Sequence, residues 1–445
     1  MKILVIGGIA AGMSIASKAK RTDQSVDITV IEKEDYISFG ACGLPYYVGK
    51  QFENGSIMYA RSPEKAREMG INLLLKHEAI KIDFDKKEVL VKDLETNEEK
   101  TLTFDRLAIA TGASPQSPLK EVKNANNLFN LTKLRDGEAI NKALETAEDV
   151  LVIGGGFIGV EVAEQIAHQG KKVKLIQRSS HVMRKVFDDE FAQMIGDALV
   201  ENKVEVLTDH ALEDYVIEDG LVKEVVTNQG AFKADLVIEA LGFRPNTDFI
   251  DDERLKKIAN GAISIDEYGR TCIEDVYAAG DCATVYHRQK DSVHIALATY
   301  ANKMGRIVGE NIVKDESEQV AYIGALGSSL IKVGEYGAGV TGLIEEEAKN
   351  LNINYGTTFV KTSNHSGYWP GQARVYIKLV YNKDDRKILG GQVFGKYGGP
   401  ERLQALTMAV YNGNTVDELG FMDFAYAPPF ASVWEALNVA GNSVK

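Results

Sequence analysis

One arrangement occurs twice in this chain. KILVIGGIAAGMSIASKAKR followed by DITVIEKE reads as an apolar strand, a glycine turn, a helix and a second strand. DVLVIGGGFIGVEVAEQIAHQG followed by KVKLIQRS repeats that order about 147 residues later. In each copy the glycines let backbone N–H groups at a helix start approach a pyrophosphate, and the second strand ends where a ribose would lie. The chain is therefore expected to be α/β, with two Rossmann-like dinucleotide sites.

The copies differ in their glycines. The second has Gly154, Gly156 and Gly159 in full G-x-G-x-x-G register between strand and helix. The first has Gly7 and Gly12 but Ile9 at the middle position, and it gains support from Glu32, an acid at the end of the next strand that suits ribose hydroxyls.

At 445 residues the chain is long enough for several domains. It contains no apolar run of the roughly 18 to 20 residues that a membrane span requires, and its start reads as a first strand and loop, not as a secretory leader. Its 51 basic and 64 acidic residues give a net charge of −13. That balance excludes a general nucleic-acid role, and an anionic ligand needs a local basic pocket. Three cysteines, Cys42, Cys272 and Cys282, offer neither a disulfide framework nor a zinc-type pair, so no metal site is expected and a cytoplasmic location is.

Two further segments extend the pattern. LAIATGASP, with Thr111 and Gly112, ends a buried strand in a turn, and IEDVYAAGDCA places Gly280 and Asp281 just after an apolar strand. Together with GFRPNT at 242–247, these resemble the two-dinucleotide flavoprotein disulfide reductases, the glutathione-reductase-like fold. The resemblance covers the whole chain. It implies an FAD-binding domain at 1–115 and 246–322, an NAD(P)-binding domain at 116–245, and an α+β dimerisation domain at 323–445. It implies that FAD is held by Gly7, Gly8, Ala10, Gly12, Glu32, Lys33, Thr111, Gly112, Asp281, Ala298 and Tyr426. The nicotinamide cofactor falls to Gly154, Gly156, Phe157, Ile158, Gly159, Gln177, Arg178 and Gly242.

The segment YISFGACGLPYYVG narrows the branch. Most of the superfamily cycles a C-x4-C or C-x2-C pair, but the matching offsets from Cys42 hold Tyr47 and Pro45. An oxidised Cys42 must then be a sulfenic acid or a mixed disulfide with a small thiol. Both chemistries occur in the single-cysteine branch, which includes NADH peroxidase, NADH oxidase, coenzyme A-disulfide reductase and coenzyme A-persulfide reductase, and SFGACGLPYYVG resembles the coenzyme A-disulfide reductase form. Peroxidases and oxidases place a histidine in the first glycine turn where this chain has Ala10. Disulfide reductases of this branch carry two C-terminal tyrosines, matched by Tyr368 in NHSGYWPG and Tyr426 in FAYAPPFA. A phenol can protonate the thiolate that leaves when Cys42 attacks a disulfide. The implied catalytic residues are Cys42, Tyr426 and Tyr368.

By the same resemblance coenzyme A contacts Ser14, Lys18, Arg21, Ser38 and Asn302. Ala41 and Trp434 depart from the pattern, where relatives have asparagine and lysine. Gln177 and Arg178 replace the acid of an NAD-preferring site, so NADPH is expected to be accepted as well as NADH. The expected activity is NAD(P)H-dependent reduction of coenzyme A disulfide by an FAD homodimer that shares its active sites between subunits. A coenzyme A-persulfide or polysulfide reductase, an NADH oxidase and a flavin-bound redox sensor are the alternatives.

Overall fold

The computed structural model describes residues 1–119 and 125–445. It forms two compact units, the first made of Met1–Gly43, Asn54–Gln116 and Phe243–Ala325, the second of Leu44–Glu53, Ser117–Gly242 and Leu326–Lys445.

The first unit is built on a five-stranded sheet in the order Val276–Ala278, Arg106–Ile109, Lys2–Ile6, Asp27–Ile31, Ile71–Leu74. Every pairing is parallel. Ile3, Val5, Val30, Leu107 and Ile109 are fully buried in it, each worth about 1.5–3 kcal/mol relative to exposure. The helix Ala10–Thr22 crosses from the first strand to the second. It packs against the helix Ala298–Asn311 with almost no space between backbones: a Cβ on Gly305 would lie 2.7 Å from the Ala11 carbonyl oxygen, and one on Gly309 would lie 2.9 Å from the Ile15 Cα. An antiparallel three-stranded sheet, His77–Asp83, Glu88–Asp93 and Glu99–Thr103, completes the unit together with shorter ribbons.

The second unit contains two sheets of five strands. One is parallel, in the order Val204–Leu207, Lys172–Ile176, Asp149–Ile153, Leu236–Glu239, Leu128–Phe129, and carries the helix Phe157–His168. The other is antiparallel, in the order Ser329–Val333, Tyr336–Gly342, Ile388–Gly395, Arg374–Asn382, Tyr355–Ser363. Ile377, Leu379 and Val393 of this sheet pack with Leu406, Leu419, Leu437 and Ala440 from the helices Leu403–Asn412, Val416–Phe421 and Ala436–Asn442. Among the described residues no helix is long and apolar enough to cross a membrane.

One segment differs from its expected grouping. Residues 44–53 follow the cysteine loop, yet they fold with the second unit. Leu44 and Tyr47 sit over Gly137, the Tyr46 hydroxyl donates to Glu161 Oε1 at 3.0 Å, and Gln169 donates to the Val48 carbonyl at 2.8 Å. The other unit edges lie at 116, 243 and 325.

Candidate active site

The two glycine turns have nearly the same geometry. Gly7 and Gly154 have φ of +105° and +109°, a left-handed conformation open to glycine. A Cβ on either would strike a backbone carbonyl of the neighbouring strand's end, at Ala110 or Ala240. Gly12 and Gly159 let their helices rest on the carbonyls of Gly7 and Gly154. Gly156 is different: a Cβ there would meet nothing within 4 Å, so no protein contact demands the glycine, and the open space suits an approaching ligand. The helices Ala10–Thr22 and Phe157–His168 begin at Ile9 and Gly156 with no side-chain cap. Their first N–H groups and the positive end of each helix dipole thus face outward, which fits a pyrophosphate. Phe157 and Ile158, both half-buried, open the second helix.

What receives the turn's own N–H separates the two sites. Glu32, buried, accepts from Gly8 N at 2.5 Å through Oε2 and from Glu34 N at 2.8 Å through Oε1. In the second turn the corresponding acceptor is an uncharged amide, with Gln177 Oε1 2.8 Å from Gly155 N. Arg178 beside it is exposed and makes no ion pair with any described residue. Arg184 is engaged, 2.6 Å from Asp189 and 2.8 Å from Glu346.

Around the first turn the other expected residues converge. Thr111 donates its hydroxyl to the Asn246 carbonyl at 2.7 Å, and Asn246 returns its side-chain amide to the Thr111 carbonyl at 3.0 Å. This ties the ATG turn to the GFRPNT segment. Gly112, at φ +66°, has nothing within 4 Å of a Cβ. Gly280 brings the next turn against Ala11 of the first helix. Burial raises the Asp281 carboxyl above the usual carboxylate range, opposed by the nearby His294. A desolvated acceptor at the carboxyl end of a parallel sheet suits the hydroxyls of a polyol chain. Ala298 is exposed at the start of its helix, and Gly242 has open space where a side chain would be. Lys33 turns away from this group and pairs with Glu78 at 2.7 Å.

The cysteine loop hangs from the same turn. Ser38 N donates to the Gly8 carbonyl at 3.0 Å, and Ala60 N donates to the Ser38 carbonyl at 2.9 Å. Ser38 takes φ of +53°, a left-handed conformation that costs a non-glycine residue about 1–2 kcal/mol. Gly40 N binds the Met58 carbonyl at 2.8 Å, and Cys42 then stands exposed on the turn Ala41–Gly43. The other two thiols lie elsewhere in the first unit. Cys272 donates to the Arg254 carbonyl at 2.9 Å, and Cys282 is fully buried with its thiol pushed up by desolvation.

Of the residues expected to meet coenzyme A, Ser14 and Asn302 are joined by a 2.9 Å hydrogen bond across the helix pair, while Lys18 is held by Glu310 at 3.0 Å and Arg21 is exposed. In the second unit Tyr368 and Tyr426 meet hydroxyl to hydroxyl at 3.2 Å. That bond lowers the pKa of Tyr426 and raises that of Tyr368, with Ser366 also lowering both. Tyr426 is therefore the stronger acid of the pair.

Sequence reasoning missed Glu161. Its carboxyl, pushed up to about 7 by burial and by Glu164, while the Tyr46 hydroxyl pulls it down, lies on the helix Phe157–His168. Two acids in FIGVEVAEQIAH were the available signal. Asn246, quoted in its motif, was not assigned the tie to Thr111 that it makes.

Two dinucleotide folds in one chain, with an exposed thiol on a loop hung from the first, define a class: a nucleotide-dependent redox protein. The model of the family described as pyridine nucleotide-disulphide oxidoreductase matches residues 1–305, and that of the family's dimerisation domain matches residues 329–437. The chain belongs to this family and is a flavoprotein oxidoreductase that uses NAD(P)H. It is 32% identical to an NADH oxidase of Enterococcus faecalis over 99% of this chain and 98% of that one. It is 35% identical to an NAD(P)H coenzyme A polysulfide/persulfide reductase of Pyrococcus horikoshii, over 100% and 98%, and 30% identical to a coenzyme A disulfide reductase of Staphylococcus aureus, over 100% of both. Among solved structures, the water-forming NADH oxidase of Lactobacillus brevis bound to NADH aligns with a TM-score of 0.95 at 30% identity, over 99% and 97%. An engineered NADPH oxidase made from it, bound to NADPH, aligns at 0.94 and 30%, over 99% and 98%.

Proposed function

We propose that this chain is a homodimeric FAD enzyme that uses NADPH or NADH to reduce coenzyme A disulfide to two coenzyme A thiols through a mixed disulfide on Cys42. The observation that carries the reading is the exposed Cys42 on a loop hung from the first glycine turn, with no second cysteine at C-x4-C or C-x2-C spacing, together with a tyrosine pair in which one phenol is made more acidic by the other. The chemistry that FAD supplies when bound is a two-electron relay from nicotinamide to sulfur. Glu32, Thr111, Gly112 and Asp281 would hold it, and the turn at Gly154–Gly159 would hold the nicotinamide cofactor. The Cys42 thiolate attacks one sulfur of the incoming disulfide and forms a Cys42–coenzyme A bond. The second thiolate is expelled and takes a proton from Tyr426 of the opposite subunit. Two electrons and a proton then cleave the mixed disulfide, releasing coenzyme A and restoring the Cys42 thiolate. NADPH, one proton and the disulfide thus give NADP⁺ and two thiols.

Ser14, Asn302, Ser38, Lys18 and Arg21 are assigned to the incoming coenzyme A. The Lys18–Glu310 pair is partly exposed and worth about 0–1 kcal/mol, so a phosphate can displace Glu310. Acceptance of NADPH has further support from the engineered relative. Four of its five substitutions remove an aspartate, install Arg and Ser next to it, and add a second Arg five residues later. This chain carries Gln177, then Arg178 and Ser179, then Arg184 in that order and spacing.

Reduction of coenzyme A persulfide is the second reading, favoured by the 35% identity to the Pyrococcus horikoshii persulfide reductase. A turnover assay with coenzyme A disulfide, coenzyme A persulfide, oxygen and peroxide, each with both nicotinamides, tests the proposal. The disulfide is expected to turn over fastest, and peroxide slowly because Ala10 supplies no base. Peroxide rates equal to the disulfide rate would defeat it.

A further inference from the structure

Tyr368 and Tyr426 sit on two different loops, and neither loop is held in place by regular secondary structure. Residues 364–373 join the strands Tyr355–Ser363 and Arg374–Asn382, and residues 422–435 run between the helices Val416–Phe421 and Ala436–Asn442. Between them lies a cavity of about 370 Å³, lined by Asn364, His365, Tyr397, Phe424 and Phe430 among others. Arg402 reaches into it. Its side chain and that of Glu435 are each only 10% exposed.

The guanidinium has five N–H donors in a fixed plane, and their partners come from every side of the cavity. Nε meets Glu435 Oε1, Nη1 meets the Gly398 carbonyl, and Nη2 reaches the Asn364 carbonyl at 2.7 Å and the Phe430 carbonyl at 3.4 Å. Asn364 is four residues before Tyr368, and Phe430 is four after Tyr426. Both loops are thus fastened to one rigid group. Ser366 adds a second stitch, its N to the Pro428 carbonyl and its Oγ to the Ala431 carbonyl, both at 3.3 Å. Asn364 also donates to the Tyr397 carbonyl at 3.1 Å. Glu435, besides holding Arg402, accepts from Leu437 N at 2.5 Å and so fixes the start of the last helix.

We infer that Arg402 is the positioning residue of the tyrosine pair, locking the loops of Tyr368 and Tyr426 in the register that brings their hydroxyls together. The inference rests on the tyrosines acting on the departing thiolate. Lysine cannot replace Arg402, because one ammonium cannot span partners spread around a plane. Arg402 touches no reacting atom, and its effect on the chemistry passes through the two phenols.

The test uses the FAD-loaded dimer and the variants Arg402→Lys, Arg402→Met, Tyr426→Phe and Arg402→Lys combined with Tyr426→Phe. Anaerobic flavin reduction by NADPH is expected to stay within twofold of wild type in Arg402→Lys and Arg402→Met. Disulfide turnover by Arg402→Lys should fall about 10- to 100-fold, as for a reacting group displaced by about 1 Å. Its alkaline limb should move to higher pH, because Tyr426 loses the hydrogen bond that makes it more acidic. In the Tyr426→Phe background, Arg402→Lys should cost nothing more. A full additional loss in that background, an equal loss of flavin reduction, or wild-type turnover by Arg402→Lys would each overturn the inference. Unchanged turnover by Tyr426→Phe alone would overturn the functional reading first, and the inference with it, since there would be no acid to position.

Discussion

Gln177 and Glu32 perform the same backbone task, accepting an N–H from a glycine turn, with a charge at one site and none at the other. The difference decides what each ribose can carry, because a carboxylate repels a 2′-phosphate and an amide does not. Arg178, exposed and without an ion pair to any described residue, is the cation we propose to meet the phosphate. Arg178→Ala is expected to raise KM for NADPH about 10- to 100-fold more than KM for NADH, the equivalent of about 1.5–3 kcal/mol for a charge-assisted hydrogen bond. Steady-state kinetics with both cofactors checks this, and an equal effect on the two would refute it. Glu161 makes a different demand. Its carboxyl is raised from 4.5 to about 7 in the folded chain, so the neutral acid favours folding. That contribution is complete below the ordinary carboxylate pKa and is lost as pH rises through about 7, a difference of about 3 kcal/mol. Glu161→Gln keeps an acceptor for Tyr46 but cannot ionise. Its unfolding midpoint should therefore match wild type near pH 4 and exceed it at pH 8, and an equal offset at both pH values would show that Glu161 does not titrate in this interval.

The paired helices Ala10–Thr22 and Ala298–Asn311 show how a local rule reverses when backbones touch. Alanine is usually better than glycine inside a helix by about 1 kcal/mol, but a Cβ on Gly309 would press on the Ile15 backbone. Gly309→Ala is expected to destabilise the chain by about 1–3 kcal/mol, measured as a lower midpoint in chemical denaturation, where an open helix site would give a gain. Such contacts also explain what the sequence could reveal. The glycine turns were legible because left-handed φ at Gly7 and Gly154 and the close approach at Gly12 and Gly159 are met within one strand–turn–helix unit. Cys42 and the two tyrosines were singled out from motifs, and the structure shows the thiol exposed and the two phenols hydrogen-bonded. The grouping of residues 44–53 with the second unit was not, since it depends on Tyr46 finding Glu161 115 positions away. Arg402 was hidden for the same reason: three of its four partners are carbonyls, and a carbonyl carries no residue identity. The pairing of Lys18 was not legible either, because Glu310, its partner, lies on a helix nearly three hundred residues further on.

The second unit presents a broad apolar surface from its C-terminal part. Tyr397, Phe421, Phe430 and Val433 are 82, 76, 73 and 73% exposed, and Phe421 meets Trp434 edge to face. A face of this kind suits a protein contact, and the matched dimerisation domain makes a second copy of the chain the partner we propose for it. Phe421→Glu combined with Trp434→Glu should yield a monomer by sedimentation that retains flavin but loses disulfide turnover, because Tyr426 no longer reaches a Cys42. A dimer with full activity would remove the shared site. The proposal turns most directly on what Cys42 carries at rest. No protein thiol is placed to cap it, and an uncapped thiolate would oxidise toward irreversible forms. Intact-mass measurement of the purified enzyme before and after reduction should show the loss of one coenzyme A per chain, absent in Cys42→Ser, which should still bind FAD. A wild-type mass that is unmodified, or that fits one added oxygen, would contradict the mixed disulfide and turn the chemistry toward a sulfenic acid.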